Sequence, residues 1–155
     1  MFIGHLPAGY ILSGASNPNW RWVLPAALLG SILPDFDLIF FYFVDNRSIH
    51  HHHYWVHIPA FWALIAMFAL PLLAWRGWFG TGLIFFAAIF LHLLLDTIVG
   101  GIQWAAPFSD HLYRFTEVPA RYGNWVLSFV LHWTFLLELV VWGLALFLWF
   151  RKRET

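Results

Sequence analysis

The chain has 155 residues, of which 61% are hydrophobic and only 10% charged. An ordinary soluble domain is about 25% charged, so a wetted single-core domain and a disordered chain are both excluded. Eight Lys+Arg against eight Asp+Glu leave no basic stripe, which argues against a nucleic-acid partner. The class that remains is an all-α, polytopic membrane protein, read as one domain over residues 1–155. Its 11 Trp and 17 Phe suit a bilayer and its interfaces, and with no Cys it has neither a disulfide framework nor a thiolate metal site.

The opening MFIGHLPAGYILSG is not read as a signal peptide. It carries no charged leading region, and His5, Pro7 and Gly9 break its apolar run. It is expected to form a short helix or re-entrant piece packed on the bundle. A spanning helix needs about 20 mostly apolar residues, and four stretches qualify: about 22–44, interrupted by Asp35 and Asp37; about 57–75; about 78–99, with His92 and Asp96; and about 125–150, with His132 and Glu138. The linkers are 45–56, the Arg76-Gly77 corner and a longer loop at 100–124. Strands are not expected, because alternating polarity is absent and a membrane sheet must close into a barrel. Arg151, Lys152 and Arg153 follow the last span and place the C-terminus in the cytoplasm. Four spans then put Arg21 and Arg76 on that side, and Arg47, Arg114, Arg121 and the histidine run on the other.

Asp35, Asp37, Asp96 and Glu138 stand in apolar surroundings. An Asp at a helix centre costs roughly 2.5–3.5 kcal/mol on insertion scales. Basic partners are nearly absent from the spans, whereas the chain has nine His. A bound cation would satisfy carboxylates and imidazoles together. In Leu33-Pro34-Asp35-Phe36-Asp37 the two carboxylates would lie about 200° apart on a regular helix. Pro34 disturbs that helix, and a broken helix turns both toward one cavity. In His92-Leu-Leu-Leu-Asp96 the i, i+4 spacing puts imidazole and carboxylate on one face. At most two or three side chains of the run His50-His51-His52-His53 can point into one site, with His57 following. His5, taken alone, reads as a packing residue. Glu138, six residues from His132, reads as a structural or interfacial carboxylate outside the site.

Gly4-His5, Leu33-Pro34-Asp35-Phe36-Asp37, His52…His57, His92-x-x-x-Asp96, Gly100/Gly101 and Trp104…Pro107-Phe108 follow one another in that order. This order resembles the YdjM-like family of membrane-bound metal-dependent hydrolases, also labelled LexA-binding inner-membrane-associated hydrolases. The family pattern is an early His, P-D-x-D, H-R-G-x-T-H, H-x-x-x-D and a G…W-P segment. Here the Arg, Gly and Thr of the third motif are replaced in His52-His53-Tyr54-Trp55-Val56-His57, so either His52 or His53 can stand as the ligand. Leu38 follows Asp37 where many members carry His. A more distant likeness is to zinc-dependent phospholipase C and the fungal single-strand nucleases.

These resemblances imply a metal site drawn from His5, Asp35, Asp37, His52, His57, His92 and Asp96. Asp35, His52 or His57, His92 and Asp96 would hold one divalent ion, and His5 would join a bridging Asp96 at a second. The third-metal pattern of the phospholipase group is missing, since Leu136 stands four after His132, so one or two ions are expected. Zinc suits the ligands, and manganese or iron also fit. The expected function is hydrolysis of a phosphoester in a lipid or lipid-linked substrate by metal-activated water, with Asp37 or a spare histidine as general base and Asp96 at the reacting centre. Arg114 and Arg121 could bind phosphate or anchor the interface. The expected location is a bacterial or archaeal cytoplasmic (inner) membrane, and the sequence sets no oligomeric state. Two rivals stand beside the enzyme. One is a metal transporter or sensor, although no internal repeat supports it. The other is a non-enzymatic scaffold in which His–Asp contacts only join helices, which leaves Asp35 and Asp37 without a role.

Overall fold

The computed structural model describes residues 3–48 and 51–153. Met1, Phe2 and His50, the first of the histidine run, lie outside the described residues. Among the described residues the protein is helical, with no strand and a single isolated bridge between Ile102 and Tyr113. Seven α-helices follow in order: α1 (His5–Gly14), α2 (Val23–Ile32), α3 (Asp37–Phe43), α4 (Pro59–Trp75), α5 (Phe79–Asp96), α6 (Trp125–Val130) and α7 (Thr134–Arg153). Short 3₁₀ turns at Pro34–Phe36, His51–His53 and Trp55–His57 join α2 to α3 and α3 to α4.

α5 is the central helix. Half of its apolar stretch is buried, against 17% for α7. α2 lies along one side of it, where Gly30 permits a close approach: a Cβ there would stand 2.3 Å from the Phe85 carbonyl oxygen. Small residues let apolar helices pack this tightly without a solvent-driven force. α4 covers another side through a cluster of Trp62, Phe86, Ile89, Leu93 and Ile102. α1 packs on α2, α5 and α7, as expected of a short N-terminal helix laid on the bundle. The outward faces of α4 and α7 are apolar, with Phe68, Trp75, Val140 and Phe147 all more than half exposed. A contiguous apolar face of that kind is what lipid covers.

Two helices, α5 and α7, are long and apolar enough to cross a membrane, and the bent pair Val23–Ile32 with Pro34–Phe43 makes a third if it counts as one span. The stretch expected as one helix over 22–44 is broken by a 46° bend at Leu33. Pro34 causes it, because the ring has no N–H to give and collides with the preceding turn. α4 spans 17 residues. The stretch expected over 125–150 divides into α6 and α7. Asn124 caps α6, its side chain accepting from the Val126 N–H at 2.8 Å, and the helix stops at Val130. His132 then bonds Thr134 Oγ1 at 2.9 Å and marks the restart.

Candidate metal centre

The last turns of α5 supply the centre's axis. His92 and Asp96 lie one helical turn apart, with His92 Nε2 3.0 Å from Asp96 Oδ2. His52 Nε2 and His57 Nε2 each stand 3.6 Å from that same oxygen. His5 Nε2 lies 3.2 Å from the other oxygen, Oδ1, with its ring stacked on His92 at a centroid separation of 3.8 Å. Asp35 Oδ1 is 3.8 Å from His92 Nε2. One carboxylate is therefore surrounded by four imidazoles from four different segments. His5, His52, His57, His92 and Asp96 are all buried.

Each of the three rings around Oδ2 is held from behind. His92 Nδ1–H donates to the Ser31 carbonyl at 2.8 Å. That carbonyl stands in the last turn of α2, where helical acceptors lose their partners. His52 Nδ1–H donates to the Gly101 carbonyl at 2.9 Å. His57 Nδ1–H donates to Asp37 Oδ2 at 2.7 Å. A carbonyl can only accept, so the Nδ1 of His52 and of His92 carries the proton, which leaves Nε2 as the atom that would bind a cation. This back-bonding is how metal-binding histidines are oriented.

The chain termini of the elements make this possible. α5 ends as the N–H groups of Gly100 and Gly101 turn back onto the Asp96 carbonyl, at 2.8 and 3.2 Å, and Gly101 takes a positive φ of 79°. A Cβ on Gly100 would lie 2.0 Å from His52 Cε1, so only glycine leaves room for that ring. The Tyr54 hydroxyl donates to Asp45 and ties the histidine loop to the end of α3. That bond, with burial and the Asp45 charge, pushes the Tyr54 phenol up to about 12.

The donor set fits a cation. Two groups gather ligand atoms within 4.8 Å of one another: Asp35, His57, His92 and Asp96, and His51, His52 and His57. Atoms bound to one ion at about 2.1 Å stand about 3.0–3.4 Å apart, close to the 3.0–3.8 Å separations found around Asp96 and His92. His57 Nε2 and His92 Nε2 are buried and make no aligned hydrogen bond, and a buried polar atom in that state needs a partner. Burial alone would lower the His57 pKa, but the hydrogen bond to Asp37, the close approach of Asp96 and the charge of both carboxylates outweigh it and raise the value to about 9. A cation there would replace that proton.

Of the residues singled out in the sequence, His5, Asp35, His52, His57, His92 and Asp96 come together. Asp37 lies behind His57, not against the Nε2 cluster. His53 turns away and pairs its Nδ1 with Gln103 Nε2 at 3.2 Å, which places His52 at the centre. His51, not singled out from its run, joins the second group and stands 3.7 Å from Asp37 Oδ1. Arg114 pairs with Glu117 at 3.2 Å on the surface. Glu138 is fully buried and outside the cluster, and accepts from the Ile3 N–H at 2.5 Å. No side-chain pattern announces a backbone partner, so that contact has no signal in the sequence.

A family model described as YdjM inner membrane protein matches residues 1–154. The chain belongs to the YdjM family. No curated protein and no solved structure matches this YdjM-family chain. The family description and the apolar helices together make it a membrane protein, and its His/Asp group is one that could bind a metal ion.

Proposed function

We propose that this YdjM-family protein is a membrane-embedded, metal-dependent hydrolase acting on the phosphoester of a lipid or lipid-linked substrate. The observation that carries the reading is the ring of three back-bonded imidazoles whose Nε2 atoms face one carboxylate oxygen of Asp96. A purely structural His–Asp contact needs one imidazole for each oxygen, and here the rings outnumber the acceptors. Asp35, His57, His92 and Asp96 would hold one zinc ion, with His5 and His52 on either side of Asp96 available to a second. A divalent cation in such a site supplies Lewis acidity toward a phosphoryl oxygen and makes water acidic enough to act near neutral pH.

The chain's own groups do the rest. Asp37 holds His57 in the orientation that presents Nε2. His51, 3.7 Å from Asp37 and partly exposed, is placed to pass a proton between the centre and solvent. The α2/α3 bend brings Asp35 to the edge of the cluster, where its side chain stays 32% exposed and can meet an incoming substrate.

The bent α2/α3 pair, α4, α5 and α7 form four crossings, since 17 residues lie at the short end of what spans a bilayer. The basic end of α7 then lies in the cytoplasm, and the centre opens on the opposite face. Reporter fusions after residue 155 should read cytoplasmic, and fusions within 109–122 the other side. Elemental analysis of the purified protein with a phosphoester and lipid substrate panel tests the function. Stoichiometric zinc, manganese or iron with phosphoester turnover supports the reading, and a metal-free, inactive protein after reconstitution refutes it.

A further inference from the structure

A cavity of about 480 Å³ leads to the centre, within the range of small-molecule sites. Asp35, His51, His52 and Asp96 lie at its polar end. With no cation bound, two carboxylates there would repel an anion. With one bound, the same end attracts it. The rest of the wall divides in two. Leu38, Phe41 and Phe129 form an apolar side contributed by α3 and α6, and Arg47 is the one Arg or Lys among the lining residues.

Arg47 is held by its backbone. Asn46 and Arg47 take successive positive φ values of 47° and 64°, a conformation uncommon for residues other than glycine. The turn is closed by the Arg47 N–H donating to the Phe41 carbonyl at 2.9 Å and the Ser48 N–H donating to the Asp45 carbonyl at 2.9 Å. The guanidinium lies over the Tyr42 ring at 4.9 Å. A guanidinium stacked in this way keeps the edge of its planar fork for an anion. Backbone strain that lodges a lone cation at a cavity rim suggests a function for that cation.

We propose that this cavity binds an amphiphile with a phosphate ester head and a hydrocarbon chain, and that Arg47 is the residue that selects the head. The phosphate lies between Arg47 and the metal centre, and the chain covers Leu38, Phe41 and Phe129. A small polar phosphate would leave that apolar side wet, and a neutral amphiphile would leave Arg47 unanswered. The proposal rests on the hydrolase reading only for the cation at the polar end.

The test uses the full-length, zinc-loaded protein in maltoside micelles, titrated calorimetrically with n-dodecyl phosphate, inorganic phosphate and n-dodecanol. Dodecyl phosphate should bind about tenfold or more tighter than either of the others, and Arg47→Ala should weaken it about tenfold or more, the usual weight of a charge-assisted contact. Arg47→Lys should recover part of the loss. Leu38→Asn should weaken dodecyl phosphate and leave inorganic phosphate unchanged. Equal binding of inorganic and dodecyl phosphate, or an Arg47→Ala protein that binds like the parent, would overturn the assignment. Zinc content measured on every sample separates the two readings. Zinc retained by Arg47→Ala shows that the variant is folded. A parent protein that takes up neither zinc, manganese nor iron overturns the hydrolase reading, while Arg47-dependent binding of dodecyl phosphate would still uphold the cavity assignment.

Discussion

α5 and α7 are the two longest helices, and each buries a carboxylate, Asp96 and Glu138. Their surroundings differ. Asp96 is ringed by imidazoles from α1, the histidine loop and its own helix, and each of the three rings around one oxygen is fixed by a further hydrogen bond. Glu138 meets the backbone N–H of Ile3, and nearby Trp142 donates its indole N–H to the Ile3 carbonyl at 3.0 Å. Burial alone does not distinguish these sites, since both carboxylates are almost wholly shielded. What distinguishes them is the partner. Several imidazole nitrogens gathered around one oxygen leave a place for a cation, whereas the Ile3 N–H on Glu138 joins α7 to the start of the chain.

Asp96→Ala should have the largest effect. Zinc affinity should fall more than about 100-fold, beyond the range typical of outer partners, and phosphoester turnover should vanish. A variant that keeps its zinc would make Asp96 no more than a second tether.

Asp37→Asn comes next. Loss of the carboxylate behind His57 should cost about 10–100-fold in zinc affinity, read by chelator competition. The pH dependence supplies a second readout. In the metal-free protein the His57 value rises from 6.5 to about 9. The stability from its proton is therefore fully present below about 6.5 and lost as pH rises through about 9. Zinc bound at the proposed centre would compete with that proton, so its apparent affinity should climb with pH and level off near 9. In Asp37→Asn the plateau should begin at lower pH even though the affinity is weaker. An unchanged plateau would separate Asp37 from His57.

Glu138→Leu should have a smaller effect. It leaves the part-buried Ile3 N–H without this acceptor, a loss of about 1 kcal/mol of stability. By loosening α1 it should weaken zinc only about threefold to tenfold, through His5. Glu138→Gln keeps an acceptor and should behave nearly as the parent. Thermal unfolding and zinc titration on the same samples measure both. At the bottom of the scale, Arg114→Ala removes an exposed pair and should change zinc affinity by less than about twofold.

Much of the centre could be read from the sequence because its spacing obeys helical geometry. The i, i+4 interval of His92 and Asp96 fixes one face, and Pro34 between Leu33 and Asp35 predicts a broken helix. Membrane residence followed from composition. The remainder depends on contacts that no side-chain pattern records. Consecutive histidines carry no periodicity that could separate His52 from His53, and that choice is made by Gly100 and the Gly101 carbonyl. The division of α6 from α7 lies within an unbroken apolar run. Glu138 read as peripheral because its contact with Ile3 is to main chain.

The Ile3–Glu138 contact also has a meaning in time. The two residues are 135 apart, which is about 7–27 s of synthesis at about 5–20 residues per second. His5 leaves the ribosome first, and α1 acquires its tether only when the final helix arrives. Between the synthesis of Asp96 and that of Glu138 the histidines and Asp96 are present without the contact that seats α1. The proposed ligand set would therefore be complete only once α7 is in place, and a chain that lacks α7 should hold a cation more weakly.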